Sequence, residues 1–331
     1  MNRFSVLILC IVVLLSFSSC GDKSQDIQML DSSSQSDQSA VSDTNSKIRI
    51  ALVMKTLTNP FFIEMEKGAR KAESEFGITL TVKTGAQETS IDQQIAIVED
   101  LIKDEVDAIV IAPGSSTELI PVLIRAQEAG IKIVNIDNQL DPALSEKLGL
   151  KNVPFISVDN VNGGYLSATY IADLLKAPTK AAVIEGITSA KNSKDRKQGA
   201  LKAFQECNNI TSIVNATANW KIDEAYTVTK KLLQENPDIG AIFCANDMMA
   251  LGTIKYLNES RRSDVLVAGY DALSEAKQAI KAGELMVTID QQASLQGYEG
   301  IKCALDLING VPVKQEQIID VKVITSTNLE E

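Results

Sequence analysis

The chain has 331 residues and not one histidine. That absence excludes Ser-His-Asp and Cys-His nucleophilic sites, His-ligated zinc and imidazole acid-base chemistry. An enzyme of this sequence would have to work with carboxylates, lysines or a bound cofactor. Positive charge is also short: 32 Lys and Arg stand against 43 Asp and Glu, a formal charge of −11. A nucleic-acid partner is therefore not expected, because phosphate binding needs a basic surface that releases counterions. No calcium loop of the Asp-x-Asp/Asn-x-Asp/Asn-Gly type occurs, so no metal is expected, and nothing in the sequence calls for a cofactor. There is no low-complexity segment after residue 46 and no short tandem repeat. Long apolar runs are missing too. The one candidate, residues 4–17, covers 14 positions and falls short of the about 20 that a permanent membrane helix needs.

That run follows a short cationic start at Arg3 and suits the core of a signal peptide. It ends in Ser18-Ser19-Cys20-Gly21, small residues before a cysteine. This resembles a bacterial lipoprotein cleavage site, with residues 1–19 removed and Cys20 acylated as the first residue of the mature chain. Residues 21–46 are rich in Ser, Asp and Gln, with scattered apolar positions. They cannot bury enough surface to offset chain entropy, so a flexible tether is expected over 20–46, behind a lipid at a membrane surface. Once Cys10 leaves with the leader and Cys20 is acylated, Cys207, Cys244 and Cys303 remain. An odd set in apolar surroundings reads as buried thiols rather than a disulfide framework.

With 45% hydrophobic and 23% charged residues, the rest can bury a core for about two domains. From Lys47 short apolar runs alternate with longer amphipathic ones. Strands are expected at 48–54, 78–82, 108–112 and 131–136. Between them come a helix carrying Phe61, Met65, Ala69, Ala72 and Phe76 and stopped by Gly77, a helix with Ile91, Ile95, Val98 and Ile102 on one face, and a helix ending at Ala129 and Gly130. A second series begins near Phe155, with strands at 181–184, 212–214, 241–245, 265–268 and 286–289 and helices that include 222–234 and 248–257. Strands rich in Val and Ile without polar alternation are buried on both faces, as parallel sheets between helical layers require. The predicted class is α/β with two doubly wound, Rossmann-like domains.

Open sheets of this kind bind ligands at the carboxyl ends of their strands. Those ends carry Lys55 to Asn59 followed by Pro60, Phe61 and Phe62; then Asp137, Asn138 and Gln139; and in the second series Asn246 and Asp247, Asp271, and Asp290 to Gln292, with Trp220 after the strand near Val214. Carboxylates, amides, an amine and large aromatics suit a sugar, which needs donors and acceptors for its hydroxyls and flat apolar faces for its C–H surfaces. Each residue also has a plain structural use, as helix cap, turn former or core aromatic. The number of polar strand ends directed at one predicted crevice favours a site.

Lys55-Thr-Leu-Thr-Asn-Pro-Phe-Phe62, the Asp137 strand end, Val158-Asp-Asn-Val161, Cys244-Ala-Asn-Asp-Met-Met-Ala-Leu-Gly252 and Ala268-Gly-Tyr-Asp271 resemble the type I periplasmic sugar-binding proteins of ABC transporters, the ribose- and allose-binding group above all. The resemblance covers residues 47 to about 326. It implies two lobes, 47–158 plus 292–320 and 159–291 plus 321–331, joined by three crossovers near Asp159, Gln291 and Asp320. Carried over residue by residue, it implies that Asn59, Asp137, Asn246, Asp271 and Gln291 bond sugar hydroxyls, that Phe61 and Phe62 cover one ring face and that Trp220 covers the other. Arg196 matches a family arginine at a helix start. Lys55 follows the allose-type pattern where ribose binders have serine, Asn138 replaces a charged residue, and Lys194 stands where ribose binders have arginine; together these leave the sugar unspecified.

Three functions fit this pattern. One is a monomeric, lipid-anchored receptor in the bacterial cell envelope, on the periplasmic or extracytoplasmic face, which captures a pentose or hexose and passes it to an ABC permease without chemistry. The second is a sensory module of the same fold, reporting to a chemoreceptor or kinase. The third is a sugar enzyme with Asp137 and Asp271 as acid and base. Repressors that share the fold are disfavoured, since a leader and tether occupy the place of a helix-turn-helix. The anchor is tested by Cys20→Ser, which should move the protein from membranes into the soluble fraction and abolish lipid labelling; labelling that persists in the variant would refute it.

Overall fold

Strand β1 (Arg49–Met54) shows why a parallel sheet forms here. Its side chains alternate between two faces and both are apolar: Ile50, Leu52 and Met54 enter one core, Ala51 and Val53 another. Such a strand needs a helical layer on each side. The structure, a computed structural model, describes residues 47–329; the leader, Cys20 and the tether lie outside them.

After β1 the chain runs through α1 (Pro60–Phe76), β2 (Thr79–Thr84), α2 (Ile91–Lys103), β3 (Ala108–Ile111), α3 (Ile120–Glu128), β4 (Lys132–Ile136), α4 (Pro142–Leu148) and β5 (Phe155–Val158). The second run is α5 (Asn160–Asp173), β6 (Thr179–Glu185), α6 (Lys191–Glu206), β7 (Ile210–Thr217), α7 (Ile222–Glu235), β8 (Ile239–Cys244), α8 (Asp247–Ser260), β9 (Leu266–Ala268), α9 (Ser274–Lys281) and β10 (Val287–Asp290). The chain then returns through α10 (Ala293–Ile308) and β11 (Glu316–Ile319) and ends in β12 (Lys322–Thr325).

These strands make two six-stranded sheets, ordered β11-β5-β4-β3-β1-β2 and β12-β10-β9-β8-β6-β7. Every neighbouring pair is parallel except β10 with β12. The fold is therefore α/β with two doubly wound sheets. The chain passes from one sheet to the other three times: after β5, after β10 and between β11 and β12. Helix α10 packs on α1, β3 and β4 of the first sheet, whereas α5 packs on α6 and on β8, β9 and β10 of the second.

Three helices depart from the simple apolar stripe. In α2 the deepest face is Gln94, Val98 and Leu101, while Ile91, Ile95 and Ile102 flank it half-buried. The amide of Gln94 turns that face inward, donating to Ala112 O (3.0 Å) and accepting from Gly114 N (2.8 Å). Helices α5 and α6 lack an obvious stripe because they meet through small residues. A side chain added at Gly164 or Gly199 would collide with the facing backbone of Arg196 or Val161. Of the three cysteines among the described residues, burial pushes Cys244 up to about 12 and Cys303 up to about 11. Cys207 departs from the expectation and is half-buried, because it ends α6.

The α1–α10 contact is the tightest of this kind: a Cβ at Gly68 would lie 1.7 Å from Ser294 O. Gly68→Ala should push these helices apart and cost about 1–3 kcal/mol. The expected signature is a lower urea midpoint with an unchanged slope.

Candidate functional site

The first half contributes the ends of β1, β2 and β4. Asn59 caps α1, its Oδ1 accepting from the Phe61 N–H (3.0 Å), while its Nδ2 donates to Glu88 Oε1 (2.9 Å). The cap places Phe61 and Phe62 on the first turn, with ring centroids 5.1 Å apart and edge to face. After β4 the backbone turns through Asp137 at φ 61°. Asn135 holds that turn, donating to Asn138 O (2.8 Å) and accepting from the Leu140 N–H (2.8 Å). Lys55 Nζ lies 2.7 Å from Asp137 Oδ2, a buried ion pair whose angle departs from that of a hydrogen bond. The same ammonium stands 5.5 Å from the centroid of the Phe62 ring.

The second half contributes the ends of β6, β7, β8, β9 and β10. Arg196 is fully engaged: Nε donates to Asn160 Oδ1 (2.8 Å), Nη1 to Ala245 O (2.9 Å) and Nη2 to Gln291 Oε1 (3.0 Å). Its guanidinium lies 3.8 Å from the Tyr270 ring centroid and 3.6 Å from Asp271 Oδ1. Gln291 closes the set, its Nε2 donating to Asp271 Oδ1 (2.6 Å). Trp220 rests on the backbone at Gly186, where a Cβ would be 2.1 Å from Cε2. Asn246 caps α8 through the Met249 N–H (2.9 Å). The adjacent Asp247 supports the wall from behind. It accepts from the backbone of Tyr270 (2.8 Å) and Leu273 (2.9 Å) and from the Thr288 hydroxyl (2.8 Å), holding the loop that carries Asp271.

Ten of the eleven expected ligand residues meet around one narrow cavity: Lys55, Asn59, Phe61, Phe62, Asp137, Arg196, Trp220, Asn246, Asp271 and Gln291. Asn138 is the correction. It does not line the cavity, because its amide is engaged by Pro113 O, Ser116 Oγ and the Asn192 N–H. Lys194 is exposed, and Arg196 is the buried cation of that helix. Glu88 and Asn192 complete the wall. Both follow strand ends, of β2 and β6, so the strand-end rule applied to every strand would have found them. A wider groove beside the cavity shares Phe61 and Asp271, but its exposed lining of Glu64, Ser274 and Leu295 leaves it open to solvent.

Three wall residues hold φ in the left-handed region, Asp137 at 61°, Trp220 at 66° and Asp271 at 122°. Such backbone costs about 1–3 kcal/mol per residue and persists where the surroundings impose it, often at functional sites. Burial raises the Glu88 carboxyl above its ordinary range, against the pull of Lys55 and the Asn59 hydrogen bond. Burial also raises Asp271 well above its ordinary range, opposed by Arg196. Two cations, three carboxyl groups, amides and three aromatic rings thus face one space, and such a wall can bond a small polyhydroxylated molecule on all sides. Among the described residues no group of three or more potential metal ligands is present.

Burial pushes Asp247 up to about 6. A carboxyl whose folded pKa is raised contributes stability that is complete below the unfolded pKa of about 4 and lost as pH rises through the folded value. The stability of the wild type relative to Asp247→Asn should therefore fall by about 1–3 kcal/mol between pH 4 and 7. Denaturant titrations of both proteins across that range measure it, and a constant difference would contradict the assignment.

Comparison with known proteins follows the same lines. The chain is similar to the D-ribose/D-allose-binding protein of Pseudomonas aeruginosa, 37% identical over 83% of this chain and 86% of that protein. It is similar also to the D-allose-binding periplasmic protein of Escherichia coli, 34% identical over 77% and 83% of the two chains. Among solved structures, an ABC transporter periplasmic solute-binding protein from Actinobacillus succinogenes with bound D-allose superimposes with a TM-score of 0.80 at 37% identity, over 86% of this chain and 99% of that one. Residues 50–312 match the model of the periplasmic binding protein domain, and with two doubly wound sheets and strand ends converging on one cavity, the chain belongs to the periplasmic binding protein family.

Proposed function

We propose that this protein captures a monosaccharide, a pentose or hexose, between two hinged lobes and delivers it unaltered to the permease of an ABC importer. The lobes of this reading are 47–158 plus 292–320 and 159–291 plus 321–331, bending near Asp159, Gln291 and Asp320. One observation carries the reading: one cavity is walled by strand ends of both sheets, and the wall mixes carboxyl, amide and cationic groups with Phe61, Phe62 and Trp220. A sugar enclosed there would exchange water for fixed donors and acceptors, and only closure brings the two sets together. Relatives named for ribose and allose support this class of ligand. Asp137 is paired with Lys55 and Asp271 with Gln291 and Arg196, an arrangement for holding hydroxyls rather than for passing protons. In this reading the protein works outside the cytoplasm, as a monomer tethered to a membrane by lipid at Cys20.

A thermal-shift screen against pentoses, hexoses and inositols should find a sugar that raises the melting temperature, since a ligand that binds only the folded state stabilises it. With that sugar, Trp220→Ala should lose more than about 1 kcal/mol of binding while remaining folded. Scattering should show a more compact particle, and mass spectrometry should recover the sugar unchanged. Converted sugar would establish an enzyme instead, and a Trp220→Ala variant that melts early but binds normally would make Trp220 a core residue.

A further inference from the structure

Helix α6 begins without a cap of its own. The residue before its first turn is Ala190, which offers no side-chain acceptor, although the first N–H groups of an α-helix have no partner within the helix. The acceptors come from the other half of the molecule. The Lys191 N–H donates to Ser116 Oγ (3.0 Å) and the Asn192 N–H to Asn138 Oδ1 (3.1 Å). Ser116 follows β3 and Asn138 follows β4, both strands of the first sheet, whereas α6 lies between two strands of the second. The Asn192 side chain adds a third link, its Nδ2 donating to Asp137 Oδ1 (3.3 Å).

The two acceptors are set in place by the first half itself. The Ser116 hydroxyl donates to Asn138 Oδ1 (3.4 Å), and Asn138 Nδ2 is anchored on Pro113 O (3.0 Å). Ser116, Asn138 and Asn192 are all buried. Neither Ser116 nor Asn138 lines the cavity, so their contacts act between the halves and not on a ligand. Asn192 connects the two, because its remaining Oδ1 is buried without a partner in the cavity wall.

We propose that Ser116 and Asn138 form a cross-cleft cap for α6, a latch that is complete only when the halves approach and that slows release of the ligand without touching it. In an open form water would take the two N–H groups, so the latch biases closure modestly rather than locking it. Its effect on binding rests on the sugar-capture reading; the cap itself does not.

Ser116→Ala and Asn138→Ala in the full-length protein test this by two measurements. Hydrogen exchange with saturating D-allose should show the Lys191 and Asn192 amides exchanging about tenfold faster in the variants, with the rest of α6 unchanged, and the difference should shrink without sugar, where the halves open. Stopped-flow fluorescence of Trp220 should show sugar leaving about three- to tenfold faster, at an unchanged association rate and with the same order of preference across the sugar panel. Equal exchange in wild type and variants with sugar bound would overturn the cap. Faster exchange with an unchanged release rate would overturn its role in retention, and an altered order of preference would make Asn138 a ligand contact. Ser116→Ala leaves the Asn138–Pro113 bond in place, so it decides the matter if Asn138→Ala melts early. A wild type that shifts with no sugar would refute the proposed function instead, and with it the sugar-linked opening; the halves then rest as the structure shows them, and exchange without ligand decides the cap.

Discussion

The guanidinium of Arg196 is the constraint on which the site depends. A buried cation without partners costs several kcal/mol, and the structure meets that demand from several directions at once. Asn160 lies just after the first passage between sheets, Gln291 lies at the second, and Ala245 follows β8, so one side chain ties three segments of different origin. Tyr270 closes the guanidinium face and Asp271 balances its charge. The positions of Gln291 and Asp271 are thus set before a ligand is considered. Preorganisation of this kind reduces the ordering cost that binding would otherwise carry.

A second feature is that helix starts and the cavity wall share residues. Asn59 and Asn246 each use one amide oxygen to begin a helix, which fixes the side chain at the cavity wall. Cap and wall are one role here: the cap is what aims the side chain. Asp247 marks the other side of the distinction. It stands next to Asn246 in the sequence and is equally buried, yet its carboxylate is occupied by the Tyr270–Leu273 loop and Thr288.

Legibility in the sequence followed the size of the buried side chains. The β1 strand and the α1 stripe of Phe61, Met65, Ala69 and Ala72 announced themselves because large or regularly spaced apolar residues face the core. Helices α5 and α6 did not, since they meet at Gly164 and Gly199, which carry little hydropathy. The strand-end rule placed most of the wall, but hydrogen-bond geometry decides where an amide points, and it turned Asn138 away from the cavity and Asn192 towards it. The unusual backbone at Asp137 and Trp220 could not be read from residue type, because neither position is a glycine.

The last two strands have a consequence for how the chain is made. β11 and β12 follow every other strand described, yet they complete edges of different sheets: β11 pairs with β5 of the first sheet and β12 with β10 of the second. Helix α10, which covers β3 and β4, also comes late. A chain growing from its amino terminus therefore cannot finish either sheet until β11 and β12 have been made, and early segments must wait for partners distant in sequence. Such long-range pairing slows folding, and it makes the two sheets acquire their final edges together, as one late event rather than as two independent births.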